Sequence, residues 1–569
     1  MNDPIIQFDH FSFQYDAQAE PTLHDITLSI RKGEKVLICG PSGCGKSTLA
    51  HCINGLIPFS YHGECSGSLK IDGRESRELG IFAISRTVGT VLQDTSAQFV
   101  GLTVAEDIAF ALENDCLGEP ELHDRVAKAA ALVGVEGRLD HAPGELSGGQ
   151  KQRVSLAGIL VDDVDVLLFD EPLANLDPAT GKAAVELIDE IGRQTGAAVI
   201  IIEHRLEDVL HRHIDRVVLM SEGRILADVS PDELLASTLL SENGIREPLY
   251  ITALKYAGVA ITADMHPDSI GQIALSEKDK AAVRDWFRRV PPAPEREETP
   301  LQLEARNIRF SYQNGHEALH DLSLSIHEGE ISAIVGTNGA GKTTFCKLLC
   351  GFETQQEGML LLSGEDMASL SIKERAESLG YVMQDPNQMI SQTMIYDEVA
   401  LGLRTRKVPE DEIRPRVEEA LKICGLWPFR NWPVSALSFG QKKRVTIAAI
   451  LVLQPKVILL DEPTAGQDYR HYTEIMEFLL DLNRRGITVL MVTHDMHLML
   501  EYARRAIVFS DGGLIADAPC AAILTDGEII RRASLKETSL FALAQRCGIE
   551  DGRAFVSRFI DYEREVARA

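Results

Sequence analysis

No stretch of this 569-residue chain approaches the roughly 20 consecutive apolar residues that a membrane-crossing helix needs. Apolar runs such as Ala197 to Ile202 and Val457 to Leu460 have the length of buried strands. Work at a membrane would therefore need another subunit to cross it. The opening Met1-Asn2-Asp3-Pro4 has no basic segment followed by an apolar one, so no secretory leader is expected. Positive charge is short as well: 57 Lys and Arg face 85 Asp and Glu, a net charge of −28. That field repels nucleic acid and anionic headgroups and confines polyanion binding to a locally built site. The ten cysteines contain no Cys-x2-Cys pair, and Cys346 and Cys350 read as a reduced thiol pair rather than a metal site. At 45% hydrophobic and 25% charged residues, the composition excludes disordered and fibrous classes. The length exceeds what one core can hold, so roughly three or four compact units, or two larger ones, are expected.

What the chain does have is a repeat. Gly40-Pro41-Ser42-Gly43-Cys44-Gly45-Lys46-Ser47 follows the apolar run Val36 to Cys39, and Gly336-Thr337-Asn338-Gly339-Ala340-Gly341-Lys342-Thr343 follows Ile331 to Val335. Each has the Gly-x4-Gly-Lys-Ser/Thr spacing of a phosphate-cradling loop between a strand and a helix. The segments ahead of the loops repeat too: Phe13-Gln14-Tyr15 answers to Phe310-Ser311-Tyr312, and His24 to Ile30 answers to His320 to Ile326. Residues 5 to 35 alternate short apolar runs with turns, which predicts an antiparallel sheet. Downstream, the spacing predicts a strand near Val88 to Leu92, a capped helix from Thr103 and a helix around Glu121 to Val133. Leu146-Ser147-Gly148-Gly149-Gln150 and Leu437-Ser438-Phe439-Gly440-Gln441 each introduce a further helix. Val166 to Phe169 and Val457 to Leu460 read as parallel strands buried on both faces, ending in Asp170-Glu171-Pro172 and Asp461-Glu462-Pro463. Strands alternating with helices give an α/β fold of two tandem P-loop modules, each a parallel-sheet core with an antiparallel β subdomain and a helical subdomain.

An acidic protein binds a triphosphate only by local arrangement. Gly40, Gly43 and Gly45, like Gly336, Gly339 and Gly341, let backbone N–H groups turn toward phosphate oxygens. The helix start adds its positive end, and Lys46 or Lys342 supplies a point charge. Ser42, Thr48, Asn338 and Thr344 belong to the same cradles. Ser47 and Thr343 are placed to ligate Mg2+, with Asp170 and Asp461, because an unpaired carboxylate at a buried strand end is costly. Glu171 and Glu462 are the candidate general bases. Alone, Asp-Glu-Pro also fits a helix start with acid at its positive end. His204 and His494 follow strands at nearly equal distances from the two glutamates and are candidates for the γ-phosphate. Gln93 and Gln384 end strands before variable loops and are candidates for phosphate and metal contact. Tyr15 and Tyr312 fit either stacking on a base or core packing.

Leu-Ser-Gly-Gly-Gln, set at the same spacing before Glu171 as its counterpart is before Glu462, makes the sequence resemble the ATP-binding cassette (ABC) ATPases over nearly all of both modules. The resemblance implies head-to-tail pairing, in which Lys46 shares an ATP site with Ser438 and Gly440, and Lys342 with Ser147 and Gly149. Two departures stand out: Phe439 replaces the glycine found at Gly148, and Gly466-Gln467-Asp468 answers to Asn175-Leu176-Asp177. Gln93-Asp94 through Asn114, with a looser copy from Gln384 to Leu403, resembles the energy-coupling-factor, cobalt-type branch. There the implied cofactors are ATP and Mg2+, and the implied role is to energise an importer of a vitamin or metal ion. The implied partners are a transmembrane coupling subunit and a small substrate-binding membrane protein, with no nucleic acid. The expected place is the cytoplasmic face of the membrane, reached only through those partners. A sugar-type importer and a soluble ABC ATPase acting on ribosomes or DNA are the alternatives. The expected domains are 1–240 and 301–525, joined by a helical tail and Pro-rich linker at 241–300 (Pro291 to Glu298 its clearest part) and followed by a helical tail at 526–569. Arg246 to Leu254 faintly resembles Lys536 to Ala544, giving each module its own tail.

Overall fold

The computed structural model describes residues 3–16, 18–92, 98–174, 176–292, 299–313, 315–464 and 469–566. It divides into two units, Met1–Val283 and Arg284–Ala569.

In the first unit the strands run β1 (Pro4–Tyr15), β2 (Leu23–Arg31), β3 (Lys35–Cys39), β4 (Gly63–Ile71), β5 (Arg74–Glu75), β6 (Val88–Val91), β7 (Val166–Asp170), β8 (Ala198–Ile202), β9 (Arg216–Ser221) and β10 (Arg224–Val229). β2-β1-β4-β5 form the antiparallel sheet expected from the alternating start of the chain. The second sheet has the order β10-β9-β3-β8-β7-β6, parallel except for β10. Alternation along β3 splits its side chains between two cores. Val36 and Ile38 pack with Phe8, Phe13 and Ile26 of the antiparallel sheet and with Leu49 and Ile53 of helix Lys46–Ile53. Leu37 and Cys39 pack on the other face with Ile108, Val154 and Ile188, from helices Val104–Asn114, Gly148–Leu160 and Pro178–Thr195. The strand is apolar throughout because both faces are dry.

The second unit repeats this with β11 (Leu301–Ser311), β12 (Glu317–His327), β13 (Ile331–Gly336), β14 (Glu357–Leu362), β15 (Glu365–Asp366), β16 (Leu379–Val382), β17 (Val457–Asp461), β18 (Thr488–Val492), β19 (Arg505–Ser510) and β20 (Gly513–Pro519). Its sheets, β12-β11-β14-β15 and β16-β17-β18-β13-β19-β20, have the same neighbour relations. The expected helices lie over Val104–Asn114 and Glu119–Val133. The first begins with a capping box in which the Thr103 hydroxyl accepts from Glu106 N at 3.2 Å.

Beyond β10 come helices Pro231–Ala236, Leu239–Glu242, Leu249–Tyr256 and Glu277–Arg289, and beyond β20 come Ser539–Arg546 and Gly552–Val566 among others. The division between units falls inside helix Glu277–Arg289. Its last turns belong to the second unit: the Trp286 ring meets Phe555 at 5.7 Å, Phe559 at 6.3 Å and Tyr562 at 5.5 Å. Arg284 donates to Cys547 O at 2.8 Å, and Arg558 to Phe287 O at 2.7 Å. Of the Pro291 to Glu298 stretch, residues 293–298 lie outside the described residues.

Candidate functional site

In each unit the site is assembled at the carboxyl edge of the parallel sheet, where β3 or β13 runs into the glycine loop. Gly43 (φ +75°) and Gly45 (φ +101°), with Gly339 (φ +81°) and Gly341 (φ +95°), take left-handed backbone that L residues resist. Gly45 is also hemmed in: a Cβ there would stand 2.9 Å from Leu23 Cδ2. The loops leave Ser42, Gly43, Asn338 and Gly339 exposed and bury both lysines. Lys46 Nζ donates to Gly40 O at 2.8 Å and Pro41 O at 2.9 Å; Lys342 Nζ donates to Gly336 O at 2.9 Å and Thr337 O at 2.8 Å. Tyr15 and Tyr312 meet the first turns of the loop helices, their hydroxyls 3.2 Å from Thr48 Oγ1 and 3.0 Å from Thr344 Oγ1. Both rings are only partly buried, so each leaves aromatic surface beside the phosphate loop.

The Asp-Glu pairs stand next to the lysines. Burial, then the neighbouring Glu171, pushes the Asp170 carboxyl up to about 6, against the pull of Lys46 and of a hydrogen bond from Ser47. One of its oxygens, Oδ1, is buried without a partner among the described residues. In the second unit burial also raises Asp461, but here Tyr381 donates to Oδ2 at 3.0 Å, with Lys443, Lys342 and Thr343 close by. Burial, then Asp461, lifts Glu462 to about 8. Both glutamates hold strained left-handed backbone, φ +49° at Glu171 and +45° at Glu462. Such strain costs of order 1–3 kcal/mol and gathers at functional positions. Their N–H groups bond the ends of the next strands, Ile202 O and Val492 O, each at 2.9 Å.

Ser47 with Asp170, and Thr343 with Asp461, are hard oxygen donors that fit Mg2+, and the orphaned Asp170 Oδ1 is an acceptor in want of a cation or its water. The described residues contain no group of three His, Cys, Asp or Glu able to enclose a metal.

Ser147 and Ser438 each cap a helix: Gln150 N and Gln441 N donate to their hydroxyls at 3.4 and 3.3 Å, and each serine N–H donates back to the glutamine side chain. Gly149 is closely approached, a Cβ there falling 2.5 Å from Thr180 Cγ2, whereas Phe439 is exposed. The serine hydroxyls, Gly149 and Gly440 therefore sit at helix amino ends, where N–H groups suit an anion. Gln384 keeps its carbonyl engaged by Lys443 Nζ at 2.9 Å. Gln93, Asn175 and residues 465–468 lie outside the described residues.

The histidines differ between the units. His494 Nε2 lies 3.5 Å from Glu462 Oε1, as two residues of one site would. His204 instead has Nδ1 3.2 Å from Glu203 Oε1. Glu203, fully buried at the end of β8, stands where the second unit has Thr493. Glu203, Tyr381 and Lys443 stand beside the strand-end aspartates, and sequence reasoning passed them over. The signal was available in comparing the halves: Glu203-His204 against Thr493-His494, Thr90 against Tyr381, Gln152 against Lys443.

A family model described as ABC transporter matches residues 23–174 and again 319–465, spanning both glycine loops, both signature helices and both Asp-Glu pairs. The chain belongs to the ABC transporter family. It is an ATPase with two ATP-binding domains. A second model, described as ATP-binding cassette cobalt transporter, matches residues 237–310. A putative ABC transporter ATP-binding protein of Clostridium perfringens is 58% identical over 561 residues, covering 98% of either chain. Another from Enterococcus faecalis is 55% identical over the full length of both. Among solved structures, cbiO1 from Clostridium perfringens, titled as part of the ABC transporter complex cbiONQ, matches 41% of this chain and 94% of its own at 36% identity, with a TM-score of 0.39.

Proposed function

We propose that this ABC ATPase energises an energy-coupling-factor importer of a vitamin or metal ion. In this reading it acts through a transmembrane coupling subunit and a small substrate-binding membrane protein at the cytoplasmic face of the membrane. The observation that carries the reading is the match of residues 237–310, the region between the cassettes, to the cobalt-transporter family. Two further features support it. No helix among the described residues is long and apolar enough to cross a membrane, so an importer needs membrane partners. And the first unit exposes Phe82, Val100, Leu102 and Phe110 around the segment that follows Gln93, with Leu102 at 81%. Arg86 lies over the Phe82 ring at 5.0 Å and pairs with Asp115, tying that surface to the end of helix Val104–Asn114.

In the hydrolytic step, Lys46 and Lys342 leave their loop carbonyls to hold phosphate oxygens, and Glu171 and Glu462, once ionised, position the attacking water and take its proton. His204 and His494 hold the γ-phosphate end. When bound, Mg2+ would neutralise charge on the phosphates; Ser47 with Asp170, Thr343 with Asp461, and Gln93 and Gln384 are the residues that would hold it.

The test is affinity isolation of the full chain from detergent-solubilised membranes. The expected result is co-purification of two membrane proteins, one of them small. Recovery with ribosomes instead, and with no membrane protein, would overturn the reading.

A further inference from the structure

The two sites are not electrostatic copies. Next to Asp461 the second unit places an ammonium, Lys443, and a hydroxyl, Tyr381. The first has Gln152 and Thr90 at those positions, and adds a carboxylate, Glu203. Glu203 follows Ile202, the residue paired with Asp170 across β7 and β8, and its N–H bonds Ile38 O of β3 at 3.1 Å, just before the glycine loop.

The side chain is fully buried, and its two oxygens have different fates. Oε1 accepts from His204 N at 2.9 Å and Arg205 N at 3.2 Å, with His204 Nδ1 at 3.2 Å and Arg205 Nε at 3.9 Å. Oε2 is buried with no partner among the described residues, like Asp170 Oδ1 nearby. Two orphaned carboxylate oxygens at adjacent strand ends, under a phosphate loop, form a costly arrangement that a cation relieves. Thr493 shows that the turn does not need the acid: its hydroxyl accepts from Asp495 N at 3.0 Å and does the same local work without charge.

We propose that Glu203 is a metal-positioning residue of the first ATP site, holding the water shell of the divalent cation through Oε2 and making that site depend on the metal more strongly than the second. The proposal rests on the reading that Ser47 and Asp170 hold Mg2+. Glu203→Gln keeps the Oε1 acceptor and removes the charge, which separates metal positioning from the turn.

The experiment uses the full chain with Lys342→Ala, so that nucleotide reports on the first unit. ADP affinity is measured by calorimetry with and without Mn2+, and the ratio gives the gain due to metal. Glu203→Gln should cut that gain about tenfold while metal-free ADP affinity stays within about twofold. Its metal-free melting temperature should be no lower than the parent's. Glu203→Asp, which retains the charge, should keep most of the gain and serves if the glutamine variant does not fold. A gain unchanged in Glu203→Gln but lost in Asp170→Asn overturns the role of Glu203 alone. A gain unchanged in both overturns the metal site on which it rests.

Discussion

A carboxyl group buried beside another acid holds its proton past the ordinary range. Glu462, lifted from 4.5 to about 8, therefore binds a proton in the folded protein that the unfolded chain has already released. Between those values the native state binds more protons than the unfolded one, so stability falls as pH rises through the window and levels off above it. In chelator, the melting temperature should drop from pH 5 to pH 8. Glu462→Gln should flatten that drop and melt higher at pH 8; an unchanged slope in thermal scans would refute it. The buried carboxylate next door is supported instead by a donor. Tyr381→Phe removes the hydroxyl bonded to Asp461 and should cost about 1.5–3 kcal/mol in denaturant unfolding. Thr90→Ala in the first unit removes a buried hydroxyl that has no such partner and should cost less.

At the scale of elements, the parallel sheet and the signature helices meet through one glycine in each half. A Cβ on Gly89 of β6 would stand 1.9 Å from Ile159 Cγ2, and one on Gly380 of β16 would stand 2.1 Å from Ile450 Cγ2. Both isoleucines are branched close to their backbone and lie on helices Gly148–Leu160 and Phe439–Leu451, so the helix itself must yield. Gly89→Ala and Gly380→Ala should each cost about 1–3 kcal/mol, read as a lowered melting temperature, with the strand retained. The strands and helices were legible in the sequence because their signals are local: continuous apolar runs, Thr103 with Glu106, Ser147 with Gln150. The glycine loops were legible because eight consecutive residues carry the whole motif. Glu203, Tyr381 and Lys443 were not, because each stands beside an acid distant in the chain, Glu203 and Tyr381 through the order of the strands and Lys443 through the packing of its helix. Tyr381 reaches Asp461 because β16 and β17 are paired. The left-handed φ at Glu171 and Glu462 was equally hidden, since neither residue type announces it.

At the scale of the whole molecule, the sequence reading placed a joint in the proline stretch beginning at Pro291. The aromatic cluster around Trp286 lies upstream of it and yet packs on the terminal helix Gly552–Val566. Trp286 is 2% exposed there, and Phe555 and Phe559 are wholly buried. A fragment beginning at residue 301 should therefore melt several degrees below one beginning at residue 276, and should bind an apolar dye where the indole had been. Equal melting of the two would show the cluster to be energetically idle. Anyone splitting this gene in two would thus find the clean cut ahead of the prolines, because the closing turns of a helix that reads as the first cassette's tail are inherited by the second.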